Sequence, residues 1–256
     1  MCLIAVAQNV HPTYPFILVA NRDEFYERPT KPANYWEDVP ELLAGRDLKA
    51  MGTWLGVTTN GRIAALTNYR EANEQPKSLS RGDLTADYLR DHQSPLSYLE
   101  MVRQKKDQYN GFNLIIGDFK SLYYYSNRQE QITKLENGVH AVSNHLLNTS
   151  WPKVEQLKEE LKHYLSAEKN LDQNRLFEML SHAEPAPDHL LPQTGVPIEW
   201  ERMLSPVYIK SDHYGTRAQT VIMVSQNGEV TFIERSGEDQ ENYYQFNLDE
   251  AYLRSK

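Results

Sequence analysis

The first residues of the chain read MCLIAVAQNVHPTYPFILVANRDE (1–24). Two short apolar runs, LIAV and FILVA, flank a turn that contains Pro12. This pattern predicts two buried strands joined as an antiparallel hairpin. Because the first strand of a hairpin begins beside the end of the second, we expect Cys2 to lie next to the Asn-Arg-Asp of residues 21–23.

The segments that follow predict a loop, a second hairpin and helices. ERPTKPANYW (27–36) contains two prolines and predicts a loop. WLGVTT and RIAALTN are separated by Asn-Gly at 60–61, a strong signal for a two-residue hairpin turn. Residues 82–107 predict two helices, one with Asp83 as N-cap and one that begins at Ser-Pro 94–95.

The second half of the chain returns to strands, then helices, then strands. FNLIIGD, LYYYSN, QITKL and VHAVSN are strand signals, and residues 152–165 and 172–182 predict helices. The proline-rich segment 183–200 predicts a long loop, and RAQTVIMVS and EVTFIER predict closing strands around an Asn-Gly turn. Without a linker or repeat, this order predicts one α+β domain over residues 1–256, with antiparallel sheets and helices on their faces.

Composition is typical of a soluble globular protein. Of the 256 residues, 40% are hydrophobic and 24% are charged. The net charge of −8 disfavours binding to nucleic acid or to anionic lipid, because no excess of positive charge is available. No apolar run is long enough to span a membrane, and no basic region of a secretory signal precedes the first strand. We therefore predict a cytoplasmic protein with no nucleic-acid partner and no membrane span.

Cys2 is the single cysteine of the chain, which excludes an internal disulfide. If Met1 is removed, the thiol and a free α-amine belong to the same residue. An α-amine has a pKa of about 7.7–8.0, so it can accept the thiol proton. This N-terminal nucleophile arrangement needs no histidine, and we predict no cofactor. The alternative interpretation is a small hydrophobic side chain at a mobile terminus.

Polar residues stand where several predicted strands end. In NRDE (21–24), the Asp can orient the α-amine, and Arg22 can lower the thiol pKa or bind a carboxylate. Other strand ends carry Asn68 and Asn144, whose side-chain amides are suited to stabilise an oxyanion. Each alone is more typical of turns, but their joint occurrence indicates one site. No His-Glu-x-x-His motif is present and one cysteine cannot build a structural zinc site, so we predict no metal ion.

Several motifs together resemble the NRDE (transport and Golgi organisation two) family. They are MCLIAVAQ, FILVANRDEFYERPT, GRD, GTWLGV, ALTNYR, SRG, GFNLIIGD, AVSNH and YGTRAQTVI, spread over residues 1–222. The resemblance implies a relation to N-terminal nucleophile (Ntn) hydrolases and their four-layer αββα sandwich. It therefore implies two mainly antiparallel sheets packed on each other and flanked by helices.

The resemblance to penicillin V acylases and bile-salt hydrolases, which are Ntn hydrolases, implies roles for individual residues of this chain. Their mature N-terminal Cys matches Cys2, and their Asn-x-Asp matches Asn21 and Asp23, with Asp23 holding the α-amine. In those enzymes an Arg directly precedes the Asn, and the matching position in this chain is Ala20. Arg22 lies nearby, but we expect its side chain to face the side of the strand opposite to that of Ala20. The order along the chain further implies catalytic roles for Asn68, Asn144 and Arg217. Candidates for substrate binding are Asn21, Arg22 and Arg70.

The resemblance implies hydrolysis of a linear amide or a related acyl transfer, with a small-molecule substrate. The alternative is a non-catalytic protein that binds or traffics haem or an acyl lipid on the same fold. Haem needs an axial ligand, for which His11, His140 and His145 are available, although a lone His is usually structural. Assembly into a homo-oligomer is common among such hydrolases and stays an open alternative.

Overall fold

Two stacked antiparallel sheets form the centre of the molecule. The computed structural model describes residues 2–72, 74–237, 240–249 and 252–253. The first sheet has six strands in the spatial order β10 (Gly138–Val142), β1 (Cys2–Gln8), β2 (Phe16–Phe25), β11 (Tyr214–Val224), β12 (Glu229–Ser236) and β13 (Gln240–Asn247). The second has seven strands in the order β3 (Thr30–Trp36), β4 (Val39–Asp47), β5 (Leu55–Thr58), β6 (Arg62–Asn68), β7 (Phe112–Asp118), β8 (Ser121–Ser126) and β9 (Ile132–Lys134).

Helices cover the outer face of each sheet and complete four layers. The bounds of the helices are α1 (Arg81–Arg90), α2 (Pro95–Gln104), α3 (Pro152–Ala167), α4 (Gln173–Met179) and α5 (Ile198–Met203). Helices α1 and α2 share a buried cluster with the seven-stranded sheet, and α3 and α4 share one with the six-stranded sheet. A third cluster fills the space between the sheets. The α+β class and the four-layer αββα sandwich are therefore confirmed.

Strand alternation places the side chains of the first hairpin. Leu3 and Ala5 of β1 pack against the helical layer, whereas Ile4 and Val6 face the other sheet. Successive strand residues point to opposite faces, so Cys2 lies on the face of Ile4, between the two sheets. The predicted hairpin is confirmed, since β1 and β2 pair antiparallel with Cys2 opposite Arg22.

The predicted loop at residues 27–36 is wrong from Thr30 to Trp36, which form β3. Strand β3 is an edge strand, where a proline without an N–H donor is tolerated. Its pairing with β4 shifts between Lys31 and Asn34, so Pro32 falls in the irregularity. Two further strands were not predicted: β4, which lies between β3 and β5, and the polar strand β13 at the edge of the other sheet.

Helix boundaries also differ from the prediction in two places. The N-cap of α1 is Ser80 rather than Asp83, and its side chain accepts a hydrogen bond from the Gly82 N–H. Helix α2 begins after Ser94 with Pro95 in its first turn, as predicted. Helix α5 begins at Ile198, inside the segment predicted to be a loop.

Candidate active site

Cys2 lines a cleft of about 670 Å³. The side chain is 7% exposed and lies at the first position of β1. Arg22, Asp23 and Asn68 line the cleft with it, and residues 76–82 form part of the opposite wall. Four of the eight candidate site residues predicted from the sequence therefore meet in one cleft.

The Cys2 thiol is held in its neutral form. Burial raises its pKa, and the nearby Arg22 guanidinium and the backbone N–H of Asp23 oppose that rise only in part. Ser143 Oγ donates a hydrogen bond of 3.1 Å to the Cys2 carbonyl oxygen, which fixes the backbone at this position. A group that removes the thiol proton is therefore needed before the sulfur can act as a nucleophile.

Asp23 and Lys153 are two buried ionisable residues close to Cys2. Asp23 is 1% exposed and accepts a 2.7 Å hydrogen bond from Thr216 Oγ1. Burial raises the pKa of the Asp23 carboxyl, and the nearby Lys153 ammonium opposes that shift. Lys153, on α3, is 3% exposed and donates a 2.9 Å hydrogen bond to the Leu204 carbonyl oxygen. Burial lowers the pKa of Lys153 to about 8.

Sequence reasoning missed Lys153, although a signal for it exists. The lysine lies four residues before Leu157, which continues at the same spacing to Leu161 and Leu165. All four residues are buried on one side of α3. A cation on the apolar stripe of a helix is rare unless it has a buried partner, so this position could have been singled out.

Arg22 is a buried cation next to Cys2. It is 6% exposed and lies opposite Cys2 in the hairpin register. The expectation that it faces away from the side of Ala20 is wrong, because residues two apart on a strand share a face. Ala20 packs between the sheets, and Arg22 lines the cleft on that same side.

Asn68 and Asn144 are joined across the two sheets. Asn68 lines the cleft at the end of β6, and its carbonyl oxygen accepts a 2.9 Å hydrogen bond from Asn144 Nδ2. The Asn144 carbonyl oxygen in turn accepts a 2.7 Å hydrogen bond from the Arg70 N–H. Asn144 is fully buried and does not line the cleft. The pair therefore holds the end of β6 beside the start of β1.

Asn21 and Arg70 lie outside the cleft. Asn21 points to the helical side of β2, where its Nδ2 donates 2.8 Å hydrogen bonds to the carbonyl oxygens of Leu180 and Val207. Arg70 forms a buried ion pair of 2.5 Å with Glu201 of α5. Both residues connect segments around the site.

Arg217 lies in a neighbouring pocket. It occupies an irregularity in the pairing of β11 with β2, and its Nη1 donates hydrogen bonds of 2.8 and 2.9 Å to the carbonyl oxygens of Phe25 and Arg28. This second pocket has a volume of about 290 Å³ and shares Arg22 with the first. Arg217 thus shapes the loop after β2 and does not line the Cys2 cleft.

The three histidines considered as haem ligands are engaged elsewhere. His11 Nε2 lies 3.0 Å from the Glu168 carbonyl oxygen, and His140 Nε2 lies 2.9 Å from that of Glu136. His145 Nδ1 lies 2.9 Å from Thr149 Oγ1. None of these three described residues lines the cleft.

Within the described ranges, no cluster of three or more His, Cys, Asp or Glu side chains is arranged to hold a metal ion. The helices in the same ranges are all too short or too polar to cross a membrane.

Comparison with known proteins assigns the family. Residues 1–239 match the family model of Transport and Golgi organisation 2. The chain belongs to this family. The mouse Transport and Golgi organization 2 homolog is 34% identical over 278 residues, which cover 97% of this chain and 99% of the mouse protein. The human homolog is 36% identical over 94% of this chain and 95% of its own length.

Solved structures assign the fold of this family member independently. The C2A mutant of conjugated bile acid hydrolase from Clostridium perfringens superposes with a TM-score of 0.53. The match covers 95% of this chain and 92% of that chain at 10% sequence identity. Likeness at this level of identity shows the Ntn-hydrolase fold alone, because one fold hosts many activities.

Proposed function

We propose that this chain is an Ntn hydrolase that cleaves a linear amide C–N bond, or performs a related acyl transfer, with Cys2 as nucleophile after removal of Met1. The observation that carries the proposal is the position of the thiol. Cys2 is the first residue of a buried strand and lines a cleft of about 670 Å³, a volume suited to a small-molecule substrate.

The α-amine of Cys2 supplies the base in this proposal. The buried thiol needs one, since its pKa is raised. A free α-amine with a pKa of about 7.7–8.0 is partly unprotonated at neutral pH and can accept the thiol proton. Asp23 holds the resulting ammonium, and Lys153 and Thr216 keep the Asp23 carboxylate in place. While Met1 is attached, the Cys2 nitrogen is a peptide nitrogen and this chemistry is blocked.

The reaction then proceeds by acyl transfer to sulfur. The thiolate attacks the substrate carbonyl, a C–S bond forms, and the oxyanion accepts a hydrogen bond from the Asn68 amide. The C–N bond breaks as the ammonium returns its proton to the leaving amine. Water then hydrolyses the thioester and restores the thiol. Asn144 positions Asn68 through the hydrogen bond to its carbonyl oxygen.

The remaining candidate residues act through the scaffold in this proposal. Asn21 fixes β2 to the helical layer, and Arg70 ties the end of β6 to α5 through Glu201. Arg217 holds the loop after β2. These are positioning residues, whereas Cys2, Asp23, Asn68 and Arg22 border the space where substrate would react.

Two measurements together test the proposal: the intact mass of the purified protein and its turnover of a panel of linear amides. We expect purified protein to lack Met1 and to release amine from at least one linear amide, and Cys2→Ala to abolish that turnover. Arg103→Gln on the exposed face of α2 serves as a control and should keep full turnover, because the side chain is 47% exposed and remote from the cleft.

Two results would contradict this function. Retention of Met1 in the mature protein removes the base, and turnover unchanged in Cys2→Ala removes the nucleophile. Either result favours the non-catalytic alternative, a haem or acyl-lipid carrier.

A further inference from the structure

The Arg22 guanidinium has no partner among the described residues. It is 6% exposed, yet no hydrogen bond or ion pair joins its side chain to the residues of the described ranges. A buried cation is costly unless a counter-charge or hydrogen-bond acceptor compensates for lost hydration. An arginine left in this state beside a nucleophile is therefore suited to receive an acceptor from a ligand.

The neighbouring carboxyl groups do not fill this role. Glu24 and Asp47 both contact Arg28, at 3.8 and 2.6 Å. Glu234 is close enough to Arg22 to interact electrostatically, but its Oε1 accepts a 2.6 Å hydrogen bond from the Ala33 N–H. Burial also raises the pKa of Glu234 to about 7, so about half of these carboxyls are neutral at that pH.

The cleft as a whole is more positive than the protein. Its lining includes five cationic side chains, Arg22, Arg28, Lys49, Lys77 and Arg81, and three acidic ones, Asp23, Glu24 and Asp47. The whole chain carries a net charge of −8. A cleft with a local excess of positive charge attracts anions against the charge of the rest of the surface.

We propose that the substrate amide carries a carboxylate close to its scissile carbonyl, and that the Arg22 guanidinium binds this carboxylate. Cys2 and Arg22 are directly opposite in an antiparallel pair, where Cβ atoms are about 4.5–5.5 Å apart. Both side chains line the same cleft, and the Arg22 guanidinium is near enough to the Cys2 sulfur to interact with it electrostatically. A carboxylate bound to Arg22 is therefore held in the same part of the cleft as the carbonyl carbon that the sulfur attacks. The planar guanidinium donates two parallel hydrogen bonds to a carboxylate, which fixes orientation as well as charge.

This inference rests on the proposed function, because it names the substrate of the same cleft. Its test does not need turnover, so the two can fail separately. Cys2 is the single thiol of the chain, and iodoacetate and iodoacetamide carry the same reactive carbon with either a carboxylate or a neutral amide. In both reactions the thiolate displaces iodide, a C–S bond replaces the C–I bond, and the thiol proton goes to solvent.

The measured quantity is the ratio of the iodoacetate rate to the iodoacetamide rate at Cys2, relative to the same ratio for free cysteine. The thiolate fraction cancels in this ratio, so an altered thiol pKa does not change it. We expect the wild-type protein to exceed free cysteine by about tenfold, the factor that one good charge-assisted hydrogen bond supplies. Arg22→Gln should return the ratio to that of free cysteine, and Arg22→Lys should keep part of the preference.

Arg103→Gln is the matched control, because it removes the same charge from the exposed face of α2. It should keep the wild-type ratio. A wild-type ratio no higher than that of free cysteine overturns the proposal, whether or not the variants fold. A raised ratio that persists in Arg22→Gln also overturns it, since the general field of the cleft would then be the cause.

Competition distinguishes a carboxylate from a phosphate as the natural anion. Acetate should slow labelling by iodoacetate more than inorganic phosphate does at equal ionic strength. Stronger protection by phosphate overturns the assignment to a carboxylate. Retention of Met1, seen in the same mass spectra, contradicts the proposed hydrolase but leaves the ratio measurable.

Discussion

Lys153 shows how much of the site depends on a residue that makes no contact with the cleft. Lys153 is 3% exposed, and its ammonium interacts with Asp23, Arg70 and Glu201. Burial favours the neutral forms of both Lys153 and Asp23, and their mutual attraction opposes that effect. We therefore interpret Lys153 as the counter-ion that favours the charged form of Asp23 beside Cys2.

Replacement of Lys153 by Met should change how stability depends on pH. The pKa of Lys153 is about 8 in the folded protein and 10.5 ordinarily, so between these values the unfolded chain binds more protons. Stability therefore rises with pH across this window in the wild type. Lys153→Met lacks this rise, so the wild-type advantage in unfolding free energy should grow by up to about 3 kcal/mol from pH 8 to pH 10.5. Urea unfolding of both proteins at several pH values measures this difference in unfolding free energy.

The double variant Asp23→Asn/Lys153→Met separates charge pairing from packing. Lys153→Met leaves the Asp23 carboxylate buried without its counter-ion, which is more costly than removing both charges. At pH 7 the double variant should therefore be more stable than Lys153→Met alone. If the double variant is the less stable of the two, Lys153 does not compensate Asp23.

Single residues were predictable where their position in the chain carried the information. The hairpin register follows from two apolar runs and a turn, and it placed Cys2 beside Arg22. Glu201 was not predictable, because its partner Arg70 is distant in sequence. Glu234 shares the inward face of β12 with Phe232, yet only the structure shows its hydrogen bond to the Ala33 N–H of the other sheet.

At the scale of elements, the turn at Asn60-Gly61 joins β5 to β6, the strand that ends at Asn68. Gly61 has a φ of +92°, which residues with a Cβ rarely adopt. A Cβ at this position would also lie 2.5 Å from a ring carbon of Tyr252. We expect Gly61→Ala to lower the unfolding free energy by about 1–3 kcal/mol, measured by urea denaturation.

Gly237→Ala is the control for backbone strain alone. Gly237 has a φ of +65°, and a Cβ there would meet no atom of the described residues within 4 Å. This variant should cost less than Gly61→Ala, because the clash with the Tyr252 ring is absent. Equal costs would show that the ring moves aside freely and that only the turn conformation matters.

Most elements with an apolar face were predicted, and two strands at sheet edges were missed. Strand β4 was missed as well, although Leu42, Leu43 and Ala44 are buried. Strands β1 and β2 are buried along most of their length and were predicted. Strand β13 is mostly exposed and β3 is half polar with a proline, and both lie at sheet edges. The hydrogen bonds to the neighbouring strand define such edges, and a periodicity of apolar residues cannot reveal them.

At the scale of the whole molecule, a buried hydrogen-bond network joins the two sheets next to the site. The segment after β10, in the six-stranded sheet, presents the carbonyl oxygens of Ser143 and His145 to the other sheet. Thr67 Oγ1 donates to the first at 2.5 Å, and Asn113 Nδ2 donates to the second at 2.8 Å. Because Asn68 follows Thr67 directly, this network sets the separation of Cys2 from Asn68.

Tyr124 completes the network and gives a test of it. Its hydroxyl donates a 2.7 Å hydrogen bond to Asn113 Oδ1 and accepts one of 3.1 Å from the Leu147 N–H. Tyr124→Phe leaves the buried Asn113 Oδ1 and the half-buried Leu147 N–H without this partner, so it should lower the unfolding free energy by about 1–3 kcal/mol. The adjacent Tyr125 faces α1 and α2, and its buried hydroxyl has no hydrogen-bond partner in the described part of the chain. Tyr125→Phe should therefore be neutral or stabilising in the same urea titration. An equal loss of unfolding free energy in both variants would mean that changes in ring packing, not the inter-sheet hydrogen bonds, cause the loss.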